Sequence, residues 1–245
     1  MRNFLAIFKR ELTGYFITPV AYVFIVIFLF LTGIFTFHLG GFFERNSADL
    51  RETFFVFHPW LYLFLVPAIT MRLWSEERKQ GTIELLMTLP ITLGQAVVAK
   101  FCAAWAFAGI ALLGTFPIWI TVNYLGDPDN GVILASYLGS LLMAGGFLAI
   151  GSCISAISKN QVISFVVTVV VCLLFVLAGY PAVTDMLESW APQSLVNTVS
   201  RFSFLTNFQD IMRGVIDLRN VVYFISLIGC FLFANVIVVD LKKAD

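Results

Sequence analysis

Long apolar runs separated by short polar segments dominate this chain. Runs of roughly 18 or more apolar residues are long enough to cross about 30 Å of hydrocarbon as α-helices. The predicted spans are residues 17–38, 54–72, 96–123, 132–157, 162–180 and 220–240. We therefore predict an all-α integral membrane protein with six transmembrane helices, forming a single domain over residues 1–245.

Two segments outside these spans have an amphipathic character. In residues 1–16, apolar side chains recur at helical spacing and basic ones occupy the remaining face, which predicts an interfacial helix. The alternative is that these charges serve only as a topological signal. Residues 181–219 mix apolar side chains with a few charges and are interrupted by Pro181 and Pro192. This composition predicts short helices that lie at the opposite membrane interface or dip into it.

The distribution of charge orients the predicted spans. Ten of the fifteen Lys and Arg residues lie on the side that holds both termini, and nine of the fifteen acidic residues lie on the other side. In membrane proteins the cytoplasmic loops carry the excess of Lys and Arg. We therefore expect both termini to be cytoplasmic.

The predicted fourth span contains small residues at four-residue spacing. They are Ser136, Ser140, Ala144, Gly145, Ala149, Ser152, Cys153 and Ala156. Small side chains at this spacing let helix backbones approach closely in lipid. We therefore predict that this face packs against other helices of the same chain and does not bind a substrate.

Composition and missing motifs exclude several classes of function. The chain is 60% hydrophobic, has a net charge of zero and lacks a basic stripe, so we expect no nucleic-acid partner. The sequence contains no GxxxxGK[ST], HExxH or GxSxG motif, which argues against ATP binding, zinc proteolysis and serine hydrolysis by this chain. We expect no bound cofactor, no metal and no catalytic residue. His58 is interpreted as an interfacial or hydrogen-bonded polar residue, with a role in a transport path as the alternative.

One short stretch breaks the apolar pattern. Residues 76–79 carry four consecutive charges in the first predicted cytoplasmic loop, and burying them in lipid would cost on the order of 10 kcal/mol. Thr82 is placed to cap a short helix that begins at Ile83 and ends before Pro90. Its apolar face would contain Ile83, Leu86 and Met87. Residues 74–90 are therefore either a docking helix for a soluble protein or an interfacial turn that only satisfies topology.

Two segments of the chain resemble known transporters. The pattern ERKQGTIELLMTLP at residues 77–90, which follows the second span and Arg72, resembles the coupling loop of ABC-2 type transporter permeases. The pattern FLTNFQDIMRGVIDLRN at residues 204–220 is similar to the subgroup that contains the gliding-motility permease and the permease for nitrous oxide reductase maturation. The six spans, the N-terminal interfacial helix and the outer helical segment at 181–219 also look like this family.

The resemblance implies a set of partners. Two such permeases would pair in the bacterial inner membrane, as a homodimer or a heterodimer. Each would rest on a separate ATP-binding cassette ATPase that binds ATP and Mg. The residues that match the coupling contact are Glu76, Glu77, Arg78, Lys79, Gly81, Thr82 and Glu84, with Lys9, Arg10 and Glu11 as neighbours.

The resemblance also implies an export path. In this family the second and fifth spans commonly face the partner protomer and line the path. Ser164 and Thr168 are the polar side chains that the fifth span offers before Tyr180. Such a path would suit export of an apolar, amphipathic or polymeric substrate better than a bare ion.

Two other functions compete with export. A related complex could use ATP to transmit force or to assemble envelope machinery without moving a solute, as the gliding-motility resemblance suggests. A membrane enzyme is disfavoured, because the polar residues provide neither a nucleophile with its base nor a metal cluster.

Overall fold

The computed structural model describes residues 2–45, 48–82, 91–189 and 191–242, and the regular elements in these ranges are helical. In chain order the α-helices are α1 (Arg2–Ile17), α2 (Pro19–Ile34), α3 (His58–Thr70), α4 (Ser75–Gln80), α5 (Leu93–Leu113), α6 (Phe116–Leu125), α7 (Asn130–Ile157), α8 (Gln161–Leu177), α9 (Pro181–Glu188), α10 (Gln193–Arg201), α11 (Phe204–Met212) and α12 (Leu218–Leu241). A π-helical turn at Phe35–Leu39 extends α2, and a 3₁₀ turn at Phe55–Phe57 precedes α3.

Five helical stretches of the described residues are long and apolar enough to cross a membrane. They are Ala21–Leu39, Phe55–Gln80, Leu93–Leu125, Asn130–Ile157 and Leu218–Leu241. A sixth is obtained only when α8 and α9, which meet at a bend of 68°, are counted as one broken span. The predicted fifth span at 162–180 is therefore shorter than expected, because α8 ends at Leu177 and the residue before Pro181 is disfavoured in a helix. The chain is an all-helical, multi-pass membrane protein.

The predicted third span contains a break. α5 ends at Leu113 and α6 begins at Phe116, so that Gly114 and Thr115 connect them. Pro117 lies in the first turn of α6, where a residue without a backbone N–H is tolerated. The Leu112 carbonyl stays bonded at the break, because it accepts both the Thr115 hydroxyl at 2.6 Å and the Thr115 backbone N–H at 3.0 Å.

The central helix of the fold is α7. It packs against α3, α5, α8, α11 and α12, and its stripe of small residues is buried against them. This confirms the predicted packing within the chain. Two glycines show how close the approach is. A Cβ atom at Gly151 would overlap Thr70 Oγ1, and one at Gly146 would lie 2.9 Å from Phe204 Cε1.

Polar side chains on α7 connect it to neighbouring helices. Ser140 Oγ shares hydrogen bonds with His58 Nδ1 at 2.8 Å and with the Tyr62 hydroxyl at 2.7 Å. The Asn235 amide of α12 donates to Ser152 Oγ at 2.7 Å. His58 is thus a fully buried polar residue that is hydrogen-bonded at one ring nitrogen and enclosed by aromatic rings, including Phe54.

The segment before the last helix is heterogeneous. α9 has no buried residue, whereas most of α11 is buried against α7, α8 and α12. Phe204, at the start of α11, packs against the Phe147 ring with 4.6 Å between centroids and stacks on Phe224. Within the segment 181–219, which was predicted to be interfacial, α11 therefore belongs to the helical core.

The N-terminal helix packs on protein along one face. Ile7 is buried, and Tyr15 stacks on Phe107 of α5 with 5.0 Å between ring centroids. Leu5 and Lys9 remain exposed. α1 is therefore held by α5, which the sequence pattern of residues 1–16 alone did not indicate.

We expect Gly151→Ala to destabilise the chain, because both Oγ1 and Cβ of Thr70 lie too close for a rotamer change to make room. Overpacking of this kind costs about 1–3 kcal/mol. The matched control is Gly109→Ala, another helical position, where the added Cβ meets only Leu141 at an ordinary 3.5 Å. Thermal unfolding of both variants in detergent should give a lower Tm for Gly151→Ala. Equal Tm values would contradict the close packing of α3 on α7.

Candidate functional site

The charged stretch forms its own short helix, α4. Glu76 and Glu77 occupy its first turn and Arg78 and Lys79 its last, so that both pairs complement the helix dipole. Gly81 ends the helix in the left-handed conformation, with φ of 69°, and donates its N–H to the Glu77 carbonyl. The left-handed conformation is accessible to glycine at little cost. The local sequence therefore accounts for the end of α4 at Gly81.

Helix α4 and the end of α7 satisfy each other's unpaired backbone groups. The N–H groups of Trp74 and Ser75 donate to Ser155 Oγ at 3.1 and 3.2 Å. In the other direction, the buried Arg78 guanidinium donates to the carbonyls of Ala156 at 3.0 Å and Ile157 at 2.8 Å. A cation at a helix C-terminus is favourable. α4 is thereby fixed to the central helix.

A buried lysine joins α4 to two further helices. Lys100 of α5 is 2% exposed, and its ammonium lies 2.9 Å from Glu77 Oε1 and 3.3 Å from Glu11 Oε1. It also donates to the Leu73 carbonyl at 3.1 Å and sits 5.2 Å from the centre of the Trp74 ring. Two carboxylates, a carbonyl and an aromatic face therefore replace the water that a buried ammonium loses.

Arg10 completes this charge cluster. Its guanidinium donates to the Glu11 carboxylate and lies 3.7 Å from Glu77 Oε1. The hydrogen bond to Glu11 raises the pKa of Arg10. Burial by itself raises the pKa of Glu11, but the attraction of Lys100 and the hydrogen bond from Arg10 outweigh it and hold that pKa below its ordinary value. Glu11 is therefore ionised in the folded chain at neutral pH.

The predicted coupling residues fall into two groups. Arg78 is buried, and Glu77 is engaged by Lys100 and Arg10, so both act inside the chain. Lys79 and Gly81 are exposed at the end of α4, and Glu76 is half-buried. The exposed positions, and not the whole charged stretch, are available to another protein.

The predicted helix after Thr82 lies outside the described residues, together with Glu84. Thr82 itself is described. Its backbone N–H donates to the Glu77 carbonyl at 3.0 Å, which places Thr82 at the close of α4.

The predicted path residues face the interior of the chain. Ser164 and Thr168 are fully buried on the side of α8 that packs against α3 and α7. Thr168 Oγ1 donates to the Ser164 carbonyl at 2.7 Å. The opposite face of α8 exposes apolar side chains such as Val166 and Val170.

Sequence reasoning missed Lys100, which it counted only as a cytoplasmic cation. The available signal was an isolated lysine well inside the otherwise uncharged helix α5, because a buried lysine requires acidic partners. The sequence does not show that these partners are Glu11 and Glu77, because that depends on how α1 and α4 pack against α5. Among the described residues, no group of three or more His, Cys, Asp or Glu side chains is placed to hold a metal ion.

We expect Lys100→Met to destabilise the chain by about 3–5 kcal/mol, because it leaves two carboxylates without their buried counter-charge. Adding Glu77→Gln should recover part of the loss, since it removes one of the unpaired charges. Lys9→Met, at an exposed position on α1, is the control and should leave the Tm unchanged. A Tm for Lys100→Met equal to that of the control would contradict the role of the cluster.

Stability should also depend on acid pH through Glu11. A carboxylate whose pKa is lowered on folding stabilises the folded state above its ordinary value, here 4.5, and this contribution is lost as the pH falls through the lowered value. We expect the Tm of the wild type to fall from about pH 7 to about pH 3 more than that of Glu11→Gln. Parallel Tm curves for the two proteins would show that Glu11 contributes nothing.

A family model matches most of this chain. The model of the family described as ABC-2 family transporter protein matches residues 61–239, which extend from α3 into α12 and cover more than half of the chain. No curated protein matches the sequence. The match includes α4, Lys100 and the central helix α7, and the family's character as a membrane component agrees with the apolar helices of the fold. The chain therefore belongs to the ABC-2 family of transporters.

Proposed function

We propose that this chain is the permease subunit of an ATP-binding cassette exporter. A separate ATPase subunit, which binds ATP and Mg, would dock at the exposed end of α4 and on the segment that follows it. Family membership supports a role as a transport component. The observation that carries the coupling proposal is the attachment of α4 to the rest of the chain.

Helix α4 is connected to four other helices, so a displacement of α4 would be transmitted to them. The turn at residues 71–74 continues α3 into α4, and Arg78 and Ser155 bind α4 to the end of α7. Glu77 connects it to α5 through Lys100 and to α1 through Arg10. Because cores are close-packed and transmit strain, movement of α4 would shift these helices together.

The exposed groups define where the ATPase would bind. Lys79 and Gly81 are exposed at the end of α4, and Lys9 and Arg10 are exposed on the neighbouring α1. Glu84 follows a few residues later in the sequence. Charges of both signs at such a contact would set the register and partner choice of the ATPase more than its raw affinity.

Charge asymmetry supports the orientation. We place α1, α4 and both termini in the cytoplasm of a bacterium and the chain in its inner membrane, because ten of the fifteen cations then lie inside. α8 and α9 together would form the fifth span in chain order, which brings the total to six. The pattern at residues 204–220 supports the gliding-motility and nitrous oxide reductase subgroup.

The transport path would form between two permease protomers. The outward face of α8, with Val166 and Val170, is apolar along its length, which favours an apolar, amphipathic or polymeric substrate. Ser164 and Thr168 would reach such a path only if α8 moved away from α3 and α7 during the cycle.

The coupling contact is tested by co-purification with the cassette ATPase encoded nearest to this chain. The variant Lys79→Glu with Glu84→Lys reverses two charges without changing the net charge. Its affinity for the ATPase should fall by roughly a hundredfold or more, since like charges facing each other across an interface cost several kcal/mol. The matched control is Arg201→Glu with Glu188→Lys, which reverses two exposed charges in the segment before α12.

The control variant should retain the ATPase fully, with equal membrane levels for all three proteins. Full retention by the Lys79 and Glu84 variant would mean that these charges serve topology alone. If the wild type binds no ATPase, the exporter proposal fails. ATPase binding without solute movement in vesicles would instead support a force-transmitting scaffold.

A further inference from the structure

A cavity of about 720 Å³ lies between α1, α2, α3, α4 and α5. This volume is within the range of about 300–1,000 Å³ that is typical of small-molecule sites. It extends to Gln80 and Thr82 at the end of α4 but not to Lys79, so it borders the proposed ATPase contact.

The two ends of the cavity differ in chemistry. Apolar side chains from membrane-spanning helices line one part, among them Phe24, Ile69 and Phe107. Charged side chains from α1, from α4 and from the turn before it line the other part, including Arg72 and Glu77. An occupant that matches both parts must carry a polar headgroup and an apolar tail, with the headgroup on the side of the membrane that holds the N-terminus.

Two of the charged groups have unused binding capacity. Glu77 uses Oε1 for its contacts with Lys100 and Arg10, whereas its Oε2 is buried and has no hydrogen-bond partner among the described residues. A buried carboxylate oxygen without a donor is unfavourable. Because Glu77 lines the cavity, turning this oxygen toward an occupant that supplies an N–H would stabilise the site. Arg72, at an exposed position on the cavity wall, forms no ion pair or hydrogen bond within the described part of the chain.

These groups select among amphiphiles. Within the described ranges Glu77 Oε2 has no donor and Arg72 has no ion pair. A cationic donor would therefore suit the first group, and an anion such as a phosphate would suit the second. A purely anionic headgroup could pair with Arg72 but would provide no donor for Glu77 Oε2. A quaternary ammonium would place a charge near Glu77 but has no N–H to donate.

We propose that this cavity is a binding site for a phospholipid whose headgroup carries both a protonated primary amine and a phosphate, as in phosphatidylethanolamine. The amine donates to Glu77 Oε2, the phosphate accepts from Arg72, and the acyl chain lies against Phe24, Ile69 and Phe107. The bound lipid then bridges α2, α3, α4 and α5. This assignment does not depend on the proposed ATPase contact.

The site is tested with the purified full chain in detergent. Dihexanoyl phosphatidylethanolamine is added, and the Tm is compared with that in dihexanoyl phosphatidylcholine, dihexanoyl phosphatidylglycerol and phosphoethanolamine without chains. We expect the largest rise in Tm with phosphatidylethanolamine, because binding to the folded state alone stabilises it. Phosphoethanolamine should give no rise, since it lacks the apolar part.

Two variants place the effect in the cavity. Gly14 lines it on α1, and a Cβ there meets no other atom within 4 Å, so Gly14→Leu fills space without a clash. It should abolish the rise in Tm. Gly33→Leu is the matched control, at a helical glycine with equally open surroundings outside the cavity, and should keep the rise.

Arg72→Ala should weaken binding of phosphatidylethanolamine roughly tenfold, as expected for the loss of a charge-assisted hydrogen bond. Arg219→Ala, an exposed arginine at the start of α12, should not change it. Equal stabilisation by the three lipids, or a response to phosphatidylethanolamine that survives Gly14→Leu, would overturn the proposal and show unselective contact with the bilayer. A full response to phosphoethanolamine alone would also overturn it.

Discussion

One buried ammonium group determines how the elements on the N-terminal side of the membrane are arranged. Lys100 belongs to the otherwise uncharged helix α5, and its desolvation is compensated only when Glu11 of α1 and Glu77 of α4 both reach it. The positions of α1 and α4 are therefore coupled to each other through α5. If either helix shifted alone, Lys100 would lose one of its two carboxylate partners.

The other organising element is α7, whose small residues let five neighbouring helices approach closely. Lipid gives no hydrophobic reason for helices to associate with one another, so packing and interhelical hydrogen bonds must hold them together. Ser140 and Ser152 provide such bonds to α3 and α12, and Ser155 provides them to the start of α4. The same helix thus holds both the membrane core and the charged helix at its edge.

Several parts of this fold follow from local sequence, and others do not. Apolar windows locate most spans, and the small-residue pattern of α7 predicts its burial, because both depend on composition within one segment. The apolar windows do not predict the break at Thr115 or the end of α8 at Leu177. Both depend on a few residues inside apolar runs, which composition over a whole window does not resolve. At the candidate site, the pattern identifies the charged stretch but not that Glu77 and Arg78 face inward. Their partners are distant in the sequence, and no local period encodes such pairings.

The reciprocal capping between α4 and α7 has a consequence for biogenesis. Ser155, Ala156 and Ile157 are synthesised long after α4, so α4 is held only by its contacts with α1 and α5 until the last turn of α7 has packed against it. Contacts between segments this far apart in sequence form late, because the intervening chain must first be ordered. On the proposed function, recruitment of the ATPase would therefore act as a folding checkpoint that admits only protomers whose central helix is already in place.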